Sequence, residues 1–221
     1  MENNEKVREY FTRSAADFDS LYSEESISVI MRFLNRRFRR DIYERYLLSL
    51  EHIRRHQLES ILDVGCGSGR YALGLAELPD VKRVVGIDFS PEMIALAQAN
   101  TRPAKQGGKL PEFICADFQT LETEETFDGV LAMGFFDYIQ NPLPVLQKML
   151  ALARHSVAAS FPSISFYRTP IRKVRYFFKR CPVYFYTREE IFSLSKAAGF
   201  AKVDVLKIKG AGMDYFATFF K

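Results

Sequence analysis

"ILDVGCGSGRYALGLAE", residues 61–77, passes from an apolar run through a glycine-rich turn into a helical pattern. Gly65, Gly67 and Gly69 alternate with Cys66 and Ser68, and an acid, Asp63, stands just ahead of them. Glycines directly after a strand permit a tight turn and the close approach of a ligand to the backbone. N–H groups left open at the start of the next helix favour an anionic group. The acid narrows the choice of ligand. The spacing is G-x-G-x-G, with Arg70 where the dinucleotide fingerprint G-x-G-x-x-G has its third glycine, and the phosphate loop G-x-x-x-x-G-K-[ST] is absent. Asp63 would also repel a pyrophosphate held within about 6 Å. A carboxylate here suits a ligand with a positive group, such as an ammonium.

The flanking sequence puts this turn in a repeating pattern. "SILDVG" reads as a short strand and "YALGLAEL" as a helix; "VKRVVGID" is a second strand that ends on Asp88. Ser90 is a helix cap, with Pro91 at the first helical position and Glu92 in the first turn of "PEMIALAQAN". "EFICAD" and "FDGVLAMG" are a third and a fourth strand. Asn141-Pro142 opens the helix "PLPVLQKMLALA", and "SVAASFP" is a fifth strand. Strands alternating with helices predict an α/β chain with a parallel sheet covered on both faces, doubly wound by right-handed crossovers. Ligands in such sheets bind beyond the carboxyl ends of the strands. That rim takes in the glycine turn, Asp88, Asp117, Met133 and the stretch after it. Asp88 is placed to accept from both hydroxyls of a ribose, and Asp117 from an exocyclic amine. An ammonium, a ribose and an adenine amine describe S-adenosylmethionine better than a dinucleotide.

Ahead of the sheet, residues 1–60 read as helical, and 26–56 contain almost no breaker. Ile30, Phe33, Leu34, Phe38, Ile42, Tyr46 and Leu50 recur at spacings of 3 and 4 as one helix face does, and the pattern fits one helix or two. The chain of 221 residues suits one domain with a sizeable core and a small accessory piece. With 48% hydrophobic and 26% charged residues and a net charge of +4, it has the composition of an ordinary globular protein. Cys66, Cys115 and Cys181 are far apart and odd in number, so they form no metal-ligand spacing and no disulfide framework. The polar N-terminus lacks a secretory signal, and no apolar run approaches the ~20 residues of a membrane span. The expectation is a cytoplasmic protein with room for peripheral contact with a membrane. His52, His56 and His155 show no partner pattern and read as ordinary surface or core residues.

The block from Ile61 to about Pro162 resembles the class I S-adenosylmethionine-dependent methyltransferases, in the small-molecule branch. "LDVGCGSG" is similar to the family's first motif, "VVGIDFSPEMIALAQ" to the region of its second strand, and "FICADFQTL" and "FDGVLAMGFFDYI" to those of its third and fourth. The resemblance implies a mostly parallel, Rossmann-like sheet of seven strands. "AKVDVLKIKG" and "MDYFATFFK" would be the sixth and the seventh, the last reversed and inserted beside the fifth. It implies S-adenosylmethionine as cofactor, with Gly65, Gly67 and Gly69 against its methionine and ribose portion. Asp88 would bind the ribose hydroxyls, and Asp117 with the Phe118 backbone would surround the adenine; Asp63 and Met133 complete the cofactor set. "VREYFTRSAADFDSLY" resembles a lid that closes over the cofactor, with Phe18 and Tyr22 facing the site. Residues 1–60 are accordingly a helical lid segment and 61–221 the methyltransferase domain.

A sulfonium methyl is already activated, so in-line displacement asks mainly for positioning, with a base only where the nucleophile arrives protonated. "MGFFDYIQNP" should border the methyl, and Asp137 and Tyr138 are the candidates for substrate orientation or proton acceptance. Enzymes that methylate the amino groups of bases carry Asn/Asp-Pro-Pro-aromatic here; Asn141-Pro142-Leu143-Pro144 comes later and at a helix start, which disfavours that chemistry. From Tyr138 to Arg188 there is no acidic residue, and "SFYRTPIRKVRYFFKRCPVYFYTR" interleaves basic and aromatic side chains. Residues 163–188 are therefore read as an insertion after the fifth strand that caps the substrate, with Arg172, Arg175 and Tyr176 holding a small, anionic and partly apolar acceptor. Arg36 to Arg40 could join the same face. The chain shows no comparable basic excess elsewhere, which argues against nucleic acid. Methyltransferases of isoprenoid-quinone and tetrapyrrole pathways offer a loose analogy. Two other classes compete: an NAD-dependent oxidoreductase, and a cofactor-binding partner protein without catalysis, against which the intact Asp63, Asp88 and Asp117 argue.

Overall fold

The computed structural model describes residues 6, 7, 10, 29–101, 109–164, 169, 170, 174, 181–208 and 214–221, with side chains of the first long helix from residue 42 onward. Phe18 and Tyr22 of the expected lid, Arg172, Arg175 and Tyr176 of the expected cap, and the side chains of Arg36 to Arg40 fall outside this description. Among the described residues one long helix, α1 (Val29–Arg55), leads into the sheet, and residues 6, 7 and 10 are also helical. Then follow β1 (Ser60–Val64), α2 (Arg70–Ala76), β2 (Arg83–Asp88), α3 (Pro91–Asn100), β3 (Glu112–Cys115), β4 (Phe127–Ala132), α4 (Pro142–Leu152) and β5 (Ala153–Phe161). The chain ends with α5 (Arg188–Ala198), β6 (Lys202–Lys207) and β7 (Tyr215–Phe220). The seven strands stand in the order β3-β2-β1-β4-β5-β7-β6. β1 to β5 pair in parallel, and β7 runs antiparallel between β5 and β6. This is the expected doubly wound, mostly parallel sheet with its last strand reversed beside the fifth.

The central strands β1, β2 and β4 form because their residues are largely apolar on both faces, as a sheet covered on both sides requires. Leu62, Val85, Val130, Val157 and Ala159 point into one layer with Val145, Leu146 and Met149 of α4 and Ile191 of α5. Their neighbours Ile61, Val84, Leu131 and Ala158 point into the other, with Ile53 of α1 and Ala72 and Leu75 of α2. α3 occupies the span expected of it, and Ser90 Oγ accepts the Met93 N–H as a cap. Asn141 also stands at a cap position, but its side chain makes no capping bond.

Two elements depart from the sequence reading. β5 begins at Ala153 rather than Ser156, because the exposed Arg154 and His155 look like loop residues. Arg154 is held in the strand from outside: its Nε donates to Asp128 Oδ1 at 2.9 Å and its Nη2 to Ser60 Oγ at 2.7 Å. The second is α5, to which the sequence reading, its basic stretch ending at Arg188, assigned no element. Its signals are local: Thr187 and Glu190 form a reciprocal capping box, and Gly199 ends the helix at φ 95°.

α1 docks on the sheet through a polar seam. His52 and Ser156 share a hydrogen bond at 3.0 Å between Nε2 and Oγ. Arg45 Nη1 donates to Ser160 Oγ at 3.2 Å and lies 3.8 Å from the Asp214 carboxylate. His52 is a core residue: it is 7% exposed, and burial, with His56 beside it, pushes its pKa down to about 4. The folded value lies below the ordinary one, so the unfolded chain holds more protons between the two. Stability linked to His52 is therefore present above pH 6.5 and lost as pH falls toward 4. Wild type should lose about 2 kcal/mol more between pH 7 and pH 5 than His52→Gln, read from urea midpoints.

Candidate functional site

In the strand order, the chain reverses direction of growth between β1 and β4, and the turn after β1 stands at that switch point, where open α/β sheets bind ligands. The turn is closed by its own amides. The N–H groups of Gly65 and Cys66 both donate to the Ile87 carbonyl, at 2.8 and 3.0 Å, and that of Gly69 to the Cys66 carbonyl at 3.0 Å. The Gly67 N–H donates to Asp88 Oδ2 at 2.9 Å. Four N–H groups of the turn are thus engaged inside the protein. What the turn presents is shape. A Cβ on Gly65 would lie 2.7 Å from the Phe135 ring, whereas one on Gly67, at φ +54°, would meet nothing within 4 Å. Gly67 is therefore bare toward open space, at a left-handed backbone angle that glycine adopts at no steric cost. Gly69 heads α2 at φ 83°.

The acids differ in their surroundings. Asp63 is 1% exposed. It takes a hydrogen bond from the Ala72 backbone, while its Oδ2 has no partner among the described residues. Burial pushes its pKa up to about 7, against the Ala72 bond and with help from the Asp88 charge. A buried carboxylate with an unmet oxygen is a site for a cationic or donor group. Asp88 ends β2 and accepts the Ser90 N–H on Oδ1 and the Gly67 N–H on Oδ2, both at 2.9 Å. Burial raises its pKa against these bonds. The carboxylate, with about four acceptor sites, retains capacity for a hydroxyl. Asp117, beyond β3, is partly exposed and accepts the Gln119 N–H at 2.9 Å. The Phe118 ring is buried edge-on to Phe135, with centroids 6.5 Å apart. The Met133 side chain is buried in the layer under α1 and α2, beside Leu131 and Ala158, so it is backbone that Met133 brings to the rim.

Beyond β4, Gly134 turns at φ +74° and Phe136–Tyr138 form one turn of 3-10 helix. The Tyr184 N–H donates to the Asp137 carbonyl at 2.9 Å. The Tyr186 hydroxyl braces the same turn from below, 3.2 Å from both the Phe136 and Ile139 carbonyls. Its pKa is raised by burial and then by Asp137. Asp137 is 6% exposed. Tyr138 packs with Phe89 against a cluster of Val7, Tyr10 and Cys181. Four segments meet there: the N-terminal segment and the connections after β2, β4 and β5. The sequence reading missed Phe135, Phe89, Tyr186 and Cys181 as parts of this site; the doubled phenylalanine after Gly134 was the signal available for the first.

These residues fit S-adenosylmethionine. An unmet buried carboxylate oxygen, a backbone open above Gly67 and a rim carboxylate at the end of β2 are the features its ammonium, its extended chain and its ribose require.

Residues 61–156 match the family model described as a methyltransferase domain. The chain is 32% identical over 89 residues to a malonyl-[acyl-carrier protein] O-methyltransferase of Bacillus cereus, covering 40% of this chain and 31% of that protein. It is 36% identical over 106 residues to a demethylmenaquinone methyltransferase of Thermus thermophilus, covering 46% and 47% respectively. The chain thus spans less than half the length of these curated relatives. In fold it resembles the crystal structure of a magnesium protoporphyrin IX methyltransferase from Synechocystis PCC 6803 with bound SAH. There the TM-score is 0.78 with 18% identity, over 97% of each chain. β2, β3 and β4 lie inside the matched segment and the reversed β7 beyond it, and the likenesses in sequence and in fold are to methyltransferases.

Proposed function

We propose that this chain transfers the methyl group of S-adenosylmethionine to a small acceptor. The observation that carries the reading is the unmet oxygen of Asp63 beside a turn whose amides are already engaged. Such a site welcomes an ammonium and offers little to a pyrophosphate, which disfavours an NAD-dependent oxidoreductase. In this reading Asp63 holds the ammonium, Asp88 the ribose hydroxyls, and Asp117 with the Phe118 backbone the adenine. Gly65, Gly67 and Gly69 let the ligand approach the chain, and Met133 borders it through its backbone. The bound sulfonium supplies an activated methyl. The residues around it need to place the acceptor in line and exclude water, and positioning of that kind can lower a barrier by about 7–11 kcal/mol.

Asp137 and Tyr138 are the groups assigned to the acceptor end. Both stand on the braced turn after β4, and Tyr138 contacts the cluster that includes Val7 and Tyr10. That contact supports residues 1–60 as a lid. The acceptor is proposed to be anionic and partly apolar, held by Arg172, Arg175 and Tyr176 of a cap at 163–188. The support is the sequence itself, which carries no acid between Tyr138 and Arg188. Relatives are named for acceptors as different as malonyl-[acyl-carrier protein], trans-aconitate and demethylmenaquinone, so the acceptor class rests on this chain's own charge. The same mixture of basic and aromatic residues supports peripheral contact with an anionic membrane from the cytoplasm. Among the described residues, no helix is long and apolar enough to cross one.

Isothermal titration should show S-adenosylhomocysteine binding and no NAD binding, and Asp88→Ala should weaken the former by about 1–3 kcal/mol. Incubation of the protein with labelled S-adenosylmethionine and a cell extract should label a small-molecule fraction; label in nucleic acid alone, or none, would refute the acceptor class. Asp63 sets a pH dependence. Its carboxyl is protonated below about pH 7 and then no longer attracts an ammonium. Affinity for S-adenosylmethionine should rise up to about tenfold from pH 6 to pH 8, and Asp63→Asn should bind more weakly with most of that slope gone. A wild-type affinity independent of pH would remove Asp63 from the ammonium site.

A further inference from the structure

The connection from β3 to β4 carries Asp117 and Phe118, and most of its later residues, Glu122, Glu124, Glu125 and Thr126 among them, are exposed. Its first part is a compact turn. The Asp117 carbonyl accepts the N–H groups of Thr120 and Leu121, at 3.1 and 2.8 Å. The Asp117 carboxylate accepts that of Gln119. Such a turn leaves its own later carbonyls without local backbone donors, as the last turn of a helix does. Lys148, on the sheet-covering helix α4, meets them. Its Nζ donates to the Phe118 carbonyl at 2.6 Å and to the Leu121 carbonyl, and lies 3.5 Å from that of Gln119. An ammonium has three N–H donors, and here each faces a carbonyl of one turn. The same Nζ stands 5.0 Å from the centroid of the Phe118 ring. That ring packs edge-on to Phe135, and Phe135 is the side chain that fills the space beside Gly65. A single lysine thus connects α4 to the turn that bears Asp117 and, through two rings, to the glycine turn.

We propose that Lys148 is the positioning residue for the adenine end of the cofactor site: it holds the turn at Asp117 and Phe118 in its binding geometry without touching the ligand. This rests on the reading of that turn as the adenine subsite. The physical basis is preorganisation. Without the ammonium, three carbonyls of an otherwise exposed connection have water as the alternative partner, and the turn opens. Apparent affinity then falls by the fraction of molecules that keep the competent geometry, while the amino-acid end of the site, built on β1 and β2, is unaltered.

Titration calorimetry on the full chain tests this with two ligands. One is S-adenosylhomocysteine and the other S-inosylhomocysteine, which carries an oxygen in place of the adenine exocyclic amine. Wild type should prefer the adenosine compound. Lys148→Met should bind it about tenfold more weakly and lose most of the preference, because the inosine compound gains little from an ordered Asp117 in either protein. Lys148→Arg, which keeps a charged donor, should retain both affinity and preference, and Lys148→Gln should fall between. Unchanged affinity and preference in Lys148→Met would overturn the proposal. So would an equal loss for both ligands with the preference intact, since that is what general loosening of the fold produces. A wild type that binds neither ligand would refute the cofactor site itself, and a wild type that binds both equally would refute the adenine subsite; each takes the proposal with it. Thermal melting of the ligand-free variants shows that the comparison is made on folded protein.

Discussion

The structure depends on one short tie between the ends of two strands. The Ile87 carbonyl takes two amides of the glycine turn, and the next residue, Asp88, takes a third on its carboxylate. Asp88 also accepts the Ser90 N–H at the head of α3, so one side chain joins the turn after β1 to the helix after β2. Backbone donors left unmet in a buried place cost free energy, and these are met by the neighbouring strand end. The arrangement requires left-handed backbone at Gly65 and Gly67 and leaves no room for a side chain between Gly65 and Phe135. It also decides the electrostatics of the site. With the Gly65, Cys66, Gly67 and Gly69 amides turned inward, the turn offers little to an anion, while the buried Asp63 and the half-buried Asp88 both have pKa values raised by loss of solvent. A ligand bearing positive charge and hydroxyls relieves both.

The long first helix is attached by different means. Much of the core joins apolar faces, but α1 also meets β5 through His52 with Ser156 and Arg45 with Ser160. Buried polar groups that pair one to one are tolerated and fix direction more sharply than apolar contact does. Ser160 also accepts the Gly134 N–H at 2.7 Å, so the seam reaches the turn that leads to Asp137 and Tyr138. The docking of α1, part of the segment proposed as a lid, therefore reaches the turn that carries the residues proposed for the acceptor.

Much of this was legible in the chain as written. Short, mostly apolar runs such as "SILDV" and "RVVGID", set between turns and helical patterns, read as strands buried on both faces, and the capped "SPEM" reads as the start of a helix. Glycine at 65, 67 and 69 after an apolar run, with acids at 63 and 88, identifies a strand-to-helix turn at a ligand rim, because few other residues tolerate that backbone. The place of β7 between β5 and β6 came from family likeness alone, since nothing within "YFATFF" states its neighbours or its direction.

What only the tertiary structure decided is who satisfies whom. The sequence shows that amides exist at the glycine turn; it took the approach of β2 to show that Ile87 and Asp88 already engage them. It shows a lysine on α4 and a turn at Asp117, some 30 residues apart, with no sign that the one closes the other. It shows three isolated histidines, and only the seam with β5 makes His52 a buried neutral ring. Local propensity and periodicity are properties of neighbours along the chain, so they can be read from it. Hydrogen-bond partners, burial and the pKa values that follow are properties of neighbours in space, and these arise when the strands take their order.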